Sequence, residues 1–175
     1  SLIALVSFRD ARVVGFPITN WTARWYHSAI SDAGFIAAFG YSVFIALVTT
    51  FSALIIGTMA AMLLAREKLF ARALLFGLFC LPAVVPGIVA AVSMRMFIRA
   101  ADIPTGTVAI ILGHTSYAVP FVILMVLGRY QSMPRSLTEA ARDLGADNFI
   151  AFLRVTLPYL RPSLIVGAVF CMLLS

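Results

Sequence analysis

The run GFIAAFGYSVFIALVTTFSALIIGTMAAMLLA, Gly34 to Ala65, contains no Asp, Glu, Lys, Arg or His. A helix of about 20 apolar residues crosses a hydrocarbon core of roughly 30 Å, so this run is long enough to span a bilayer. Two further runs repeat the pattern, Ala73 to Met94 and Ile103 to Gly128, the latter with His114 as its one group ionising near neutral pH. Leu2 to Phe8 is apolar but too short to span, and Pro162 to Ser175 is apolar to its last residue. The pattern predicts an all-α fold, a polytopic transmembrane helical bundle, with 1–175 as a single partial transmembrane domain. The two outer runs read as cut spans of a longer membrane protein.

Composition supports the same class. Hydrophobic residues make up 62% of the chain and charged residues 11%, with a mean hydropathy of +1.04, whereas soluble domains carry about 25% charged residues. The net charge of +6 does not indicate nucleic acid, because the basic residues are scattered over short connections and form no stripe with interleaved aromatics. Basic loops beside lipid headgroups account for it. Cys80 and Cys171 both lie within apolar runs, where a thiol acts as a small buried hydrophobe. The start lacks the basic region and small-residue cleavage site of a signal peptide.

Assigning alternate connections to alternate sides puts Arg66, Lys68, Arg72, Arg129, Arg135, Arg142, Arg154 and Arg161 on one face and Arg9, Arg12, Arg24, Arg95 and Arg99 on the other. Eight basic residues against five favour a cytoplasmic location for 129–161. On the opposite side Trp21, Trp25 and Tyr26 surround Arg24, a composition that first of all suits an interfacial anchor, with a surface for an extracytoplasmic partner as the sharper alternative.

Leu81-Pro82 and Val85-Pro86-Gly87 place two prolines and a glycine in the middle of the second span. Each proline removes a backbone donor and opposes a regular helix, so that span is expected to kink or unwind. Broken helices at membrane depth occur where they are buried in protein or line a watery cavity. Candidate pathway residues are therefore Pro86 and Gly87, Arg95 at the outer end of the same span, and the polar patch His114, Thr115, Ser116 and Tyr117 in the next. Arg95 and Arg99 share a helical face and admit two readings, pathway cations or side chains reaching for headgroups.

The long polar connection 129–161 begins with a helix signal. Ser136 and Glu139 have capping-box spacing, Leu137, Ala140, Ala141 and Leu144 fall on one face, and Gly145 stands where a left-handed residue ends a helix. About two amphipathic turns are too short to be stable alone and require a surface to pack on.

Glu139-Ala140-Ala141, three residues, Gly145, nine residues and then Val155-Thr156-Leu157-Pro158 resemble the E-A-A-x3-G-x9-I-x-L-P signature of permease subunits in binding-protein-dependent ABC importers, with Val155 in place of Ile. The order of spans, the Trp25-Tyr26 pair and the prolines after Leu81 resemble the spermidine/putrescine permeases. The resemblance implies an ABC importer permease fold of six spans, of which this chain covers the end of span one to the start of span five. It implies a bacterial-type inner-membrane protein whose cytoplasmic docking loop 129–161 inserts into an ATPase through Glu139, Ala140, Ala141, Leu144, Gly145, Leu157 and Pro158. A second, related but different permease chain, an extracytoplasmic binding protein and surrounding lipid would complete the assembly, with ATP and Mg bound by the ATPase.

The chain contains no G-x-x-x-x-G-K-[ST], H-E-x-x-H or G-x-S-x-G motif, so no catalytic residue, metal ligand or cofactor of its own is expected. A polyamine is the cargo that the resemblance implies, yet the complete spans contain no Asp or Glu. Arg95 leaves open a small anion such as a phosphonate. A gradient-driven transporter or channel is the other alternative, and it calls for ionisable residues within the spans, where His114 stands alone.

Overall fold

The structure, a computed structural model, describes residues 6–8, 10, 21–66 and 69–175. These residues form helices α1 (Arg24–Ser31), α2 (Ala33–Arg66), α3 (Leu69–Val84), α4 (Gly87–Ala100), α5 (Thr107–Gln131), α6 (Arg135–Asp143) and α7 (Asn148–Leu174), with no strand among them. Three helices, α2, α5 and α7, are long and apolar enough to cross a membrane, and a fourth span is made if the bent pair α3 and α4 is one. An all-α polytopic membrane protein is thus what the apolar runs build. The short opening run Leu2 to Phe8 falls mostly outside the described residues.

The chain divides into two compact units, Ser1–Phe44 and Ile45–Ser175. In the first, the Thr22 amide donates to the Phe8 carbonyl at 2.7 Å and the Phe8 and Tyr26 rings lie 5.0 Å apart. Arg24 pairs with Asp10 at 2.8 Å and lies 4.8 Å from the centre of the Trp25 ring. Trp21, Trp25 and Tyr26 are all exposed. Asp32 accepts from the amides of Gly34 and Phe35 and so satisfies two orphan donors at the start of α2.

In the second unit the core lies where α2, α5 and α7 meet. Ala53, Gly57 and Ala61 repeat every four residues on α2 and are buried. This stripe of small residues lets the α5 backbone approach closely, the arrangement by which spans associate through van der Waals packing where lipid supplies no hydrophobic drive. The approach is tight at Gly57, where a Cβ would come within 2.6 Å of Val122 Cγ1 and 2.7 Å of Val122 Cβ. Val122, Ile123 and Val126 on α5 and Leu160 and Cys171 on α7 are fully buried in the same cluster.

The prolines act as expected in the second span. Pro82 stays inside α3, but Val85 leaves the helix ahead of Pro86, as the residue before a proline is pushed toward extended backbone. Pro86 adopts φ −51° and ψ 133° as the cap of α4, and α3 and α4 meet at 104°. An added Cβ at Gly87 would meet nothing, so Pro86 makes the break. Past α4, Asp102 has φ 51°. It closes the helix with the Ile103 amide donating to the Ile98 carbonyl, a left-handed position that Asp tolerates better than most residues.

Helix α7 begins earlier than hydropathy indicates. Its start is Asn148, within the stretch expected as a polar connection, and the apolar run from Pro162 is only its later part. Phe152–Thr156 form a π turn, with the Leu157 amide donating to Phe152. That wider turn falls just before Pro158, which lacks a donor and whose ring crowds the carbonyl one turn back, so the helix passes Pro158 by widening locally.

Candidate functional site: a short exposed helix and a cavity within the spans

Helix α6 is held between α5 and α7 as a short exposed rod. Leu137, Glu139, Ala140 and Leu144 are exposed, with Leu144 at 89% of its full accessibility, and Ala141 is half-buried. The face that the spacing of Leu137, Ala140, Ala141 and Leu144 defines is therefore largely uncovered by the described residues of this chain. The Glu139 carboxylate stands on the same exposed helix.

The helix starts differently from the capping-box expectation. Pro134 is the N-cap, and no side chain caps the helix, so Ser136 lies inside the first turn. The reason is local: proline pre-sets φ, here −60°, and a helix readily follows it. The carboxylate of Glu139 is thereby left free of the capping role.

The far end follows the expectation at Gly145. Its φ is 83°, its amide donates to Arg142 at 2.8 Å, and the Ala146 amide donates to Ala141 at 3.0 Å. These two bonds are a Schellman closure, which turns the chain within Leu144–Ala146. Asp147 then caps α7, accepting from the Ile150 amide at 2.7 Å, and Arg142 donates to the Asn148 side chain at 3.0 Å. Asp147→Ala is expected to cost about 1 kcal/mol, read as a lower midpoint of thermal unfolding in detergent. Leu157 and Pro158 lie within α7 beyond the π turn, on an element separate from α6.

At the base of the segment a polar cluster joins α5 to α7. Arg129 Nε donates to the Tyr159 carbonyl at 3.3 Å, and its guanidinium lies 4.3 Å from the centre of the Tyr159 ring. The Tyr159 hydroxyl donates to the Ser132 carbonyl at 3.1 Å, and Ser132 Oγ donates to the Arg129 carbonyl at 2.8 Å. No local signal marks this cluster, since its partners are about 30 residues apart.

A cavity of about 1010 Å³ lies among α3, α4, α5 and the end of α7. Of the sequence-derived pathway residues it brings together Gly87, Arg95, His114, Ser116 and Tyr117, joined by Pro82, Ser93 and Thr49. Pro86 and Thr115 do not line it, and neither does Arg99. Thr115 points elsewhere because neighbours along a helix face different sides, and its hydroxyl is buried without a partner. His114 Nδ1 is 2.9 Å from the Ser175 hydroxyl. Thr49 is wholly buried and its hydroxyl has no partner. Arg95 and His114 are the lining side chains able to carry positive charge, and no Asp or Glu lines the cavity. Among the described residues no cluster of His, Cys, Asp and Glu could hold a metal ion.

A bundle of apolar helices, one broken at prolines beside a cavity, with a short exposed helix between two spans, defines a multi-pass membrane protein. The chain belongs to the family of binding-protein-dependent transport system inner membrane components, whose family model matches residues 53–175. It is 30% identical over 183 residues to the putrescine transport system permease protein PotI of Escherichia coli (strain K12), covering 99% of this chain and 64% of that one. It is 26% identical over 174 residues to the spermidine/putrescine transport system permease protein PotC of the same strain, covering 99% and 66%. A PotC of Haemophilus influenzae is 26% identical over 153 residues, covering 87% and 60%. The chain thus spans just under two thirds of the length of these relatives. Membership places it in the bacterial inner membrane as a multi-pass protein.

Proposed function

We propose that this chain is part of the channel-forming permease subunit of an ATP-driven importer, and that α6 is the helix on which a cytoplasmic ATPase docks. The observation that carries this reading is the exposed, Schellman-closed α6, with Glu139, Ala140 and Leu144 exposed and Ala141 half-buried beside them. The ATPase binds ATP and Mg, while this chain moves. A second permease chain and an extracytoplasmic binding protein complete the assembly.

The cargo we propose is a polyamine, a reading supported by the similarity to PotI, a putrescine permease, and PotC, a spermidine/putrescine permease. One feature favours a second reading, a small anion such as a phosphonate: Arg95 lines the cavity and no carboxylate does. The two are separated by the solutes that raise the melting temperature of the cognate binding protein, putrescine and spermidine on the first reading, phosphonates on the second.

Docking is tested with the full-length permease reconstituted with its ATPase. Glu139→Ala is expected to weaken ATPase association about tenfold, equivalent to about 1.4 kcal/mol, and to lower substrate-stimulated ATP hydrolysis accordingly. Unchanged assembly and unchanged stimulation would remove α6 from the interface.

A further inference from the structure

Helix α6 is attached at one end to α5 through Ser132 and Pro134 and at the other to α7 through Asp147. The second attachment leads into the stretch of α7 where the hydrogen-bond ladder is irregular. The π turn Phe152–Thr156 departs from the regular ladder, and Pro158 supplies no donor. A displacement of α6 that reached α7 only through Asp147 would be absorbed by bending in this stretch.

Tyr159 lies immediately beyond it. Its hydroxyl is tied to Ser132, the C-cap residue that follows α5, and its carbonyl and ring are held by Arg129. We infer that Arg129, Ser132 and Tyr159 form a clasp that carries movement of the docking helix past the π turn and into the spanning part of α7. Arg129 and Tyr159 are positioning residues on this account. They touch neither ATP nor cargo, and they set how much of the ATPase stroke reaches the pathway wall. The inference rests on the proposed docking role of α6.

The test uses the full-length permease in complex with its ATPase. Amide hydrogen exchange is measured across Leu160 to Leu174, without nucleotide and after trapping with ATP and vanadate. In the unmodified complex trapping is expected to change exchange in this stretch. In Tyr159→Leu that nucleotide-dependent difference is expected to shrink at least about fivefold, the lower end of measured coupling between sites, with ATPase retention and basal hydrolysis unchanged. Tyr159→Phe keeps the ring beneath Arg129 but loses the hydroxyl bond, and gives an intermediate difference. Arg129→Gln reproduces Tyr159→Leu and adds little when combined with it.

A merely structural role would raise exchange equally in both states and leave the difference intact, and that result overturns the clasp. So does an unmodified complex in which trapping changes nothing in Leu160 to Leu174. Failure of the docking reading itself shows separately, as ATPase retention that is insensitive to changes in α6.

Discussion

Replacing Gly57 by Val is expected to cost about 3 kcal/mol, at the upper end of the range for overpacked sites, and to lower the yield of folded permease in detergent. Even alanine places its Cβ 2.7 Å from Val122 Cβ, an atom fixed to the α5 backbone that no rotamer change can move. The helices must separate, and with them the fully buried Ile123 and Val126 lose packing. Separation is costly in lipid because van der Waals contact is the main attraction between spans. Gly87→Ala is the control, since nothing stands near the added methyl, and it is expected to leave the melting temperature unchanged. Val122→Ala should recover part of the loss in Gly57→Ala, because it removes the Cγ1 atom at 2.6 Å and leaves the Cβ contact.

Gly145→Val is expected to have the second large effect, on assembly more than on folding. At φ 83° a β-branched residue is a genuine outlier, and holding it there costs about 1–3 kcal/mol. Helix α6 has too few turns to persist without its closure. The variant should relieve the strain by losing the bonds from Gly145 to Arg142 and from Ala146 to Ala141, which releases Leu144 and the end of α6. Retention of the ATPase on immobilised permease is expected to fall at least about tenfold, while the spans, packed through Gly57 and Val122, keep their thermal stability. An equal loss of both would show that Gly145 matters to the whole fold.

The parts of this structure that could be read in advance are those governed by neighbours in sequence. The charge-free run Gly34 to Ala65 becomes α2, Ala33–Arg66, because apolar length alone specifies a span. The break at Val85-Pro86 and the left-handed Gly145 follow from steric rules that act over one or two residues.

What could not be read depends on competition or distance. Ser136 and Glu139 fit a capping box, but Pro134 starts the helix two residues earlier. Arg154, Arg161 and Asn148 make the first half of α7 look like a loop by hydropathy, although Asp147 offers a cap that could have marked its start. The repeat Ala53, Gly57, Ala61 was a legible sign of close helix packing. Nothing local indicates that Arg129 meets Tyr159, or that Thr49 shares a cavity with Arg95 and His114. Those juxtapositions exist only once the helices pack.

The central claim, that α6 is where the ATPase docks, is tested most directly by placing a thiol on its exposed face. In a background with Cys80 and Cys171 replaced, Leu144→Cys is treated with a short bifunctional crosslinker in membranes containing the ATPase, with Met172→Cys on α7 as the control. Both positions are exposed in this chain. The account predicts a permease–ATPase adduct from Leu144→Cys and none from Met172→Cys. A Leu144→Cys thiol that reacts freely with a small maleimide yet gives no adduct with the bound ATPase would contradict it.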